Sequence, residues 1–505
     1  MRQISSAHSE PLHSVAATRD LERQAAAGLP PHTLMQRAGL SVARLTLALA
    51  PHAQHIWIAC GPGNNGGDGF EAAMHLHQWG KKITVSWTGL PAGKTSLPPD
   101  AQASRERALT AGVPMAAQPP HDFDFCIDAL LGIGGTLDAS REGTALMLDW
   151  LARMRDSGVP RLAVDVPTGL DANTGFATQL IAYTQGGIWA GGLFTLSLLT
   201  LKPGLFTAHG RDCAGQVWFD DLGAGSAQGA SGSPDAWLLG ADQAAQAPKL
   251  AGAHASHKGS FGDVAVMGGE STARSHMAGA ALLAARAALH AGAGRVFVAL
   301  LGSPALAVDS QQPELMFRAP DALDLAQQVV VCGCGGGDAV RAMLPRVLSA
   351  ASRLVLDADA LNAIAGDSQL QTQLTARHRR GYSTVLTPHP LEAARLAGIT
   401  SKEVQADRLA LAGQLADRYQ CVVVLKGSGT VIAAPGRPSA VNSSGNALLA
   451  TAGTGDVLAG MLGAGMAGGL GAFEAACSAV FAHGRIADEW PVGQALTASA
   501  LASRA

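Results

Sequence analysis

The sequence predicts two α/β domains, each built on a parallel sheet, and three observations carry that prediction. At 505 residues the chain is too long for one ordinary core, so two domains are the natural reading. Short β-branched runs alternate with alanine-rich helical stretches along both halves, the pattern of strand–helix–strand units. Between the halves, Gly223 to Pro234 reads GAGSAQGASGSP, with almost no side chain able to pack, as a flexible linker does. The expected division is 1–222, a linker over 223–236, and 237–505.

The elements follow in order. In the first half HIWIAC (55–60), KITVSW (82–87), FDFCIDAL (123–130) and RLAVDV (161–166) read as buried parallel strands, each ending in a loop that carries glycine or aspartate. In the second half DVAVMGG (263–269), RVFVALL (295–301), QVVVCGCG (328–335), RLVLDAD (353–359), YSTVLTPH (382–389) and CVVVLKG (421–427) repeat the habit. In parallel sheets ligands gather beyond the carboxyl ends of the strands, where these loops lie. No fixed-period repeat links the halves, so they are different domains.

Composition narrows the function classes. Low charge and 48% hydrophobic residues suit densely folded soluble domains, and a net charge of −3 leaves no footprint for nucleic acid. Seven irregularly spaced cysteines point to reduced thiols and a cytoplasmic location. Cys332 and Cys334 lack the second ligand pair of a zinc site and read as small buried residues. Arg2, Glu10, Arg19 and Glu22, with no apolar core segment, speak against a secretory signal. The longest uncharged apolar run, Gly186 to Leu201, falls short of the about 20 residues of a spanning helix. It predicts a buried strand with flanking turns, and no membrane partner is expected.

The first candidate site is GPGNNGGDG (61–69), between the strand HIWIAC and a helical FEAAMHLHQWG. Its glycines expose backbone N–H groups to an anion, while Asn64, Asn65 and Asp68 supply fixed polar groups. Asp128 in DALLGIGG and Asp165 in VDVPTGLD end two further strands and should reach the same rim. Either could simply cap the helix that follows. Together with GNNGGDG they favour a site, and oxygens from Asn65, Asp128 and Thr168 suit a hard cation.

The second candidate site centres on NSSGNALLATAGTGDVLAG (442–460), which sets Gly445, Gly453, Gly455 and Asp456 at the mouth of an apolar helix. Open N–H groups at a helix start hold anions. A carboxylate facing a phosphate repels it, so Asp456 either caps the helix or handles a proton. Lys426 in KGSGT (426–430) offers a point charge, with Gly427 and Gly429 leaving room for phosphate. His389, between two prolines in TPHPLE, is a structural histidine or one aimed at a ligand, and the neighbouring motifs favour the latter.

GPGNNGGDG, DALLGIGG and VDVPTGLDANTG in this order, with LMQRAG (34–39) and LKPGLF (201–206), resemble the epimerase domain of NAD(P)H-hydrate repair enzymes over roughly 10–220. HKG (257–259), DADALN (357–362), TPHPLE, KGSGT and GTGD resemble the nucleotide-dependent NAD(P)H-hydrate dehydratases from about Trp237 onward. The resemblance implies a Rossmann-like three-layer α/β/α first domain and a ribokinase-like second domain. It implies Asn64, Asn65, Gly66, Gly67 and Asp68, with Gly132, Ile133, Gly134, Gly135, Thr136, Leu137, Asp138 and Asp165, around a hydrated nicotinamide nucleotide. Potassium would sit on Asn65, Asp128 and Thr168, and Asp165 is the candidate proton-transfer group. In the second domain Lys426, Gly427, Ser428, Gly429, Thr430 and Gly455 would hold ADP, the phosphoryl donor, with Mg2+ on its phosphates. Ala280, Gly335, His389 and Asp456 would contact the hydrate, Asp456 taking the proton. Three departures stand out: Thr168 replaces a usual serine, GCGGG (333–337) a usual G-P-G-x-G, and STARSHMAGAA (271–281) is degenerate. The implied function is repair of hydrated NADH and NADPH by a homo-oligomer, through epimerisation and ADP-dependent dehydration. The alternative is a ribokinase-like small-molecule kinase fused to a non-catalytic nucleotide-binding module.

Overall fold

The structure is a computed structural model that describes residues 1–91, 93–141, 143–177, 191–225, 234–244, 254–303 and 306–505. Residues 226–233 of the expected linker and 186–190 of the long apolar run lie outside the described residues. The chain forms two compact units, Met1–Ile4 with Pro11–Ala236, and Ser5–Glu10 with Trp237–Ala505. Ser5–Glu10 joins the second unit partly through Ser9, whose N–H and Oγ both donate to Asp242 Oδ1 at 2.9 and 2.7 Å.

In the first unit the sheet runs Met115–Ala116, Lys82–Trp87, His55–Cys60, Phe125–Ala129, Arg161–Val164, Leu193–Leu198 and Gln216–Asp220, all parallel. Arg2–Gln3 adds an antiparallel edge. The order is that of a Rossmann-type sheet, reversing between His55–Cys60 and Phe125–Ala129. Successive side chains point to opposite faces, so Ile56, Ile58 and Cys60 enter one core while Trp57 and Ala59 enter the other. Both faces are covered, which is why these strands read as unbroken apolar runs. Leu193–Leu198 is the strand expected within the long apolar run.

In the second unit Met316–Phe317, Arg295–Gly302, Asp263–Ser271, Val329–Cys332, Arg353–Leu356, Ser383–Leu386 and Val422–Leu425 are parallel neighbours. Val264 and Val266 face one core, Ala265 and Met267 the other. Beyond Val422–Leu425 the sheet turns antiparallel through Val431–Ala433 and Ser439–Asn442, a departure from the all-parallel expectation. KGSGT is therefore a hairpin loop: adjacent antiparallel strands close over a few residues, whereas parallel ones need a crossover. Gly427 and Gly429 supply its positive φ angles of 138° and 58°.

Helix Thr454–Ala467 is apolar on every side and buried from Val457 onward. It packs so closely on Ala278–His290 that a Cβ at Gly460 would lie 2.0 Å from the carbonyl oxygen of Ala284. The start of the helix is therefore fixed. All seven cysteines are buried and none is in a disulfide. Among the described residues no helix is long and apolar enough to cross a membrane.

Candidate active sites

Helix Asn64–Gln78 begins at the switch point of the first sheet, with Gly63 as an N-cap that offers no side chain. Its first turn leaves N–H groups open at the positive end of the helix dipole. A Cβ at Gly66 would lie 2.1 Å from the Gly61 carbonyl oxygen, and one at Gly67 2.5 Å from Met35 Sδ. GPGNNGGDG is thus a tightly packed turn and helix start that tolerates nothing larger at these two positions. A cavity of about 780 Å³ opens above it, within the range of small-ligand sites. Asn64, Asn65, Asp68, Gly132, Ile133, Gly134, Gly135 and Asp165 line it.

The remaining first-unit candidates lie off that wall. Gly66 and Gly67 sit behind it in the helix. Thr136 is exposed, Leu137 packs in the core with Trp57 and Trp150, and Asp138 accepts from the N–H and Oγ of Ser140. Asp128 is fully buried at the end of Phe125–Ala129. Its Oδ1 accepts from Thr168 Oγ1 at 2.7 Å and its Oδ2 from the Thr168 N–H at 3.1 Å. Thr168 Oγ1 also accepts from the Leu131 N–H, and the neighbouring Gly132 packs against Asn65.

These residues suit a cation. Asp128 forms no ion pair with a basic side chain among the described residues, although a buried carboxylate is costly without a positive partner. Asn65 is buried and lines the cavity, where its amide can offer an oxygen. Carboxylate, amide and hydroxyl oxygens are the donors a hard, weakly held ion takes.

Asp165 follows strand Arg161–Val164 with φ +66°, a left-handed conformation that a side-chain-bearing residue keeps only when surroundings enforce it. Here its N–H donates to Leu196 O at 2.8 Å, and its Oδ1 accepts from the Leu198 N–H at 3.0 Å and from Lys202 Nζ. Asp68, on the same cavity, is held well above the usual carboxylate range by burial, then by the charges of Asp165 and Glu22. Glu22 is also raised, by burial and then by Asp165. Sequence reasoning gave no role to Lys202 or Glu22; the segment LKPGLF was the available signal for the former.

In the second unit, strand ends and a helix start converge. Asp357, which sequence reasoning also missed, follows Arg353–Leu356 and is almost fully buried. Its Oδ1 accepts from Lys426 Nζ at 2.7 Å and from Thr387 Oγ1 at 2.8 Å. Ligating atoms of Cys334, Asp357 and Asp456 all lie within 4.8 Å of one another. Cys332 and Cys334 are both small buried residues as expected, and Cys334 also borders the site, its Sγ 4.0 Å from Asp357 Oδ2. Burial, then the Asp456 and Asp357 charges, push its thiol well above the ordinary range.

Asp456 does not cap its helix; Gly453, at φ +89°, is the N-cap. Asp456 stands in the first turn, its carboxyl raised to about 7 by burial and then by Asp357, with Cys334 and Lys426 opposing. The N–H groups of Gly455 and Asp456 have no backbone acceptor among the described residues. A Cβ at Gly455 would lie 3.2 Å from Lys426 Nζ, so this glycine lets the ammonium meet the helix start. Together they form an anion pocket with a proton acceptor at its edge. His483, also missed, shares a 2.9 Å hydrogen bond through Nε2 with Thr454 O, and burial holds its pKa down to about 4, so the neutral ring donates. The Gly445 N–H is taken by Asp488 Oδ2 at 2.7 Å and does not face the mouth.

The other candidates are placed as follows. Ala280 and Gly335 touch: a Cβ at Gly335, whose φ is +56°, would lie 2.9 Å from Ala280 Cβ. His389 caps helix Pro390–Ala397, its Nδ1 accepting from the Leu391 N–H at 3.1 Å, while its Nε2 lies 3.3 Å from Glu392 Oε1. The ring is 46% exposed, so one edge serves the fold and the rest faces outward. In the hairpin loop Ser428 is exposed, Thr430 Oγ1 donates to Gly427 O at 3.0 Å, and Gly427 packs on buried Arg408, which donates to Lys426 O at 3.1 Å. For Mg2+, which binds through one or two carboxylates plus phosphates, Asp357 and Asp456 fit; the protonated thiol of Cys334 does not.

Residues 31–204 match the family described as YjeF-related protein N-terminus, and residues 264–504 match the NAD(P)H-hydrate dehydratase family. The bifunctional NAD(P)H-hydrate repair enzyme Nnr of Escherichia coli (strain K12) is 35% identical over 489 residues, spanning 92% of this chain and 87% of that protein. The chain belongs to the bifunctional NAD(P)H-hydrate repair enzyme family. Within this family's second half, the ADP-dependent (S)-NAD(P)H-hydrate dehydratase of Neisseria meningitidis serogroup B is 43% identical over 240 residues, 46% of this chain and 78% of that protein. The crystal structure of the Bacillus subtilis ADP/ATP-dependent NAD(P)H-hydrate dehydratase co-crystallised with ATP/Mg2+ is similar at 28% identity and a TM-score of 0.41, over 50% of this chain and 90% of that one.

Proposed function

We infer that the chain restores hydrated NADH and NADPH in two steps. The first unit interconverts the R and S hydrates, and the second uses ADP to dehydrate the S hydrate, releasing AMP and phosphate. The observation that carries this reading is the placement of Asp456, raised to about 7, beside Lys426 and the open amides of a fixed helix start. A phosphate held there has its charge met, and the adjoining carboxylate can take a proton from an alcohol.

The reaction balances as follows. The hydrate hydroxyl gives its proton to Asp456 while its oxygen attacks the terminal phosphorus of ADP, and AMP leaves. The ring nitrogen then expels the phosphate from the carbon, and loss of a proton from the neighbouring carbon restores the double bond. Lys426, Gly427, Ser428, Gly429, Thr430 and Gly455 are the residues proposed for the nucleotide, and Ala280, Gly335 and His389 for the hydrate. Mg2+, when bound, supplies charge neutralisation for the donor phosphates, with Asp357 and Asp456 as the nearby carboxylates.

In the first unit, Asn64 to Asp68, Gly132 to Asp138 and Asp165 are the residues proposed for the hydrate. Asp165 transfers the proton that lets the hydrated ring carbon change configuration. Potassium on Asn65, Asp128 and Thr168 would fix the loop ends around it. A stereospecific dehydratase clears one epimer only, so an epimerase on the same chain makes the other available. The setting proposed is the cytoplasm, with a homo-oligomer acting on small molecules and neither nucleic acid nor membrane as partner.

The test is incubation of the purified chain with mixed hydrates and ADP. AMP, phosphate and reduced nicotinamide nucleotide should appear in equal amounts. A stable phosphorylated product instead would support the small-molecule kinase and overturn this reading.

A further inference from the structure

Behind the wall of the first cavity stands a residue for which the mechanism above has no assignment. Lys202 is fully buried, and its three N–H donors meet three acceptors: Asp165 Oδ1, Leu198 O at 2.7 Å and Ser197 Oγ at 3.4 Å. Burying an ammonium is unfavourable unless it is paired, and Asp165 is its one carboxylate partner among the described residues. The local turn does not need that charge. Ser197 Oγ already donates to Thr200 O at 2.8 Å, and the Thr200 N–H to Leu198 O at 2.7 Å.

Asp165, in contrast, does need it. Its backbone holds a left-handed conformation, and its Oδ1 is occupied by Lys202 and the Leu198 N–H. Its Oδ2 has no partner among the described residues, and the residue lines the cavity. One oxygen is anchored and the other is left for substrate. Asp68 and Glu22 line the same cavity, and like charges so close cannot all ionise freely. Of the three carboxylates the buried cation touches Asp165 alone among the described residues.

We propose that Lys202 is the positioning residue of the first site: it anchors one oxygen of the Asp165 carboxylate and aims the other at the hydrated ring. This rests on the reading of Asp165 as the proton-transfer group. Lys202 itself lies behind the carboxylate and acts through it.

The test uses the full chain with Lys202→Met, Lys202→Gln, Asp165→Asn, and Asp165→Asn combined with each lysine variant, followed by R-to-S conversion. Lys202→Met should lower kcat about 10²-fold, the scale of a lost acid–base contribution, with KM for the hydrate unchanged. Lys202→Gln, which keeps polar donors but no charge, should fall nearly as far; it decides the matter if Lys202→Met does not fold. In the Asp165→Asn background neither lysine variant should cost anything more. An active Asp165→Asn would dismiss the underlying reading of that aspartate. An inactive Asp165→Asn beside a fully active Lys202→Gln would overturn the lysine inference alone. Equal losses in both backgrounds, or a rise in KM without a fall in kcat, would also overturn it by showing a purely structural lysine.

Discussion

Lys426 Nζ lies 2.7 Å from Asp357 Oδ1, joining two strand ends directly beneath the first turn of helix Thr454–Ala467. The pair does two things at once. It satisfies a carboxylate only 2% exposed, and it leaves the rest of the ammonium beside Gly455, where an anion would sit. Removing one partner of such a pair is far worse than never having built it, because the other charge stays buried.

Lys426→Met should therefore destabilise the second unit by about 3–5 kcal/mol, the scale for an orphaned buried partner. Urea unfolding of the full chain, with its two units as separate transitions, measures this. Dehydration should be lost and epimerisation kept. An unchanged second transition would show that Asp357 finds compensation elsewhere.

The pH dependence follows from Asp456. Its carboxyl is raised to about 7 by burial and then by Asp357, so it is protonated and unable to accept a proton below that pH. The kcat/KM of dehydration should rise with pH through a limb near 7. Asp357→Asn removes the negative neighbour and frees Lys426, and both changes favour the ionised form. The limb should move to lower pH in that variant; a shift upward would contradict the assignment.

His483 predicts an acid sensitivity of the fold. Its pKa is about 4 in the folded chain against a usual 6.5, burial being the main cause. Stability from this group is complete above pH 6.5 and is lost as pH falls toward 4, because the unfolded chain takes the proton first. The total is about 3 kcal/mol at most. His483→Gln, which keeps a donor toward Thr454 O, should flatten stability of the second unit across that window when unfolding is followed from pH 7 to 4.

Gly455→Ala tests the anion pocket itself. The new methyl would stand 3.2 Å from Lys426 Nζ, a flexible tip that can give way, so folding should survive. ADP affinity, measured by calorimetry, should fall about tenfold or more as the methyl enters the space of the phosphate. Unaltered affinity would place the nucleotide elsewhere.

Much of this was legible in the sequence, for identifiable reasons. Buried parallel strands announce themselves as apolar runs, so HIWIAC and KITVSW are strands over the very residues expected. The two candidate sites were marked by glycine-rich segments that open helices, where Gly66 against Gly61 and Gly460 against Ala284 leave no room for a side chain. What stayed hidden depends on partners distant in the chain. Asp357 and Lys426 are 69 residues apart, and Asp165 and Lys202 are 37, so neither pair forms a local pattern. Cys334 looked like filler because residues two apart in a strand share a face; here the strand ends at Cys332, and the turn at Gly333, φ +120°, sends Cys334 to the other side. His389 has a local structural reason, a capping box with Glu392, that its flanking prolines do not disclose. The antiparallel end of the second sheet escaped because Val431–Ala433 is only three residues long.

The most direct measurement is dehydration by the Asp456→Asn chain, which keeps the shape of the side chain and removes its ability to accept a proton. Supplied with mixed hydrates and ADP, it should bind the nucleotide and continue to interconvert the epimers, yet regenerate no reduced nicotinamide nucleotide. Regeneration at the rate of the unaltered chain would contradict the central claim that this carboxylate takes the hydroxyl proton.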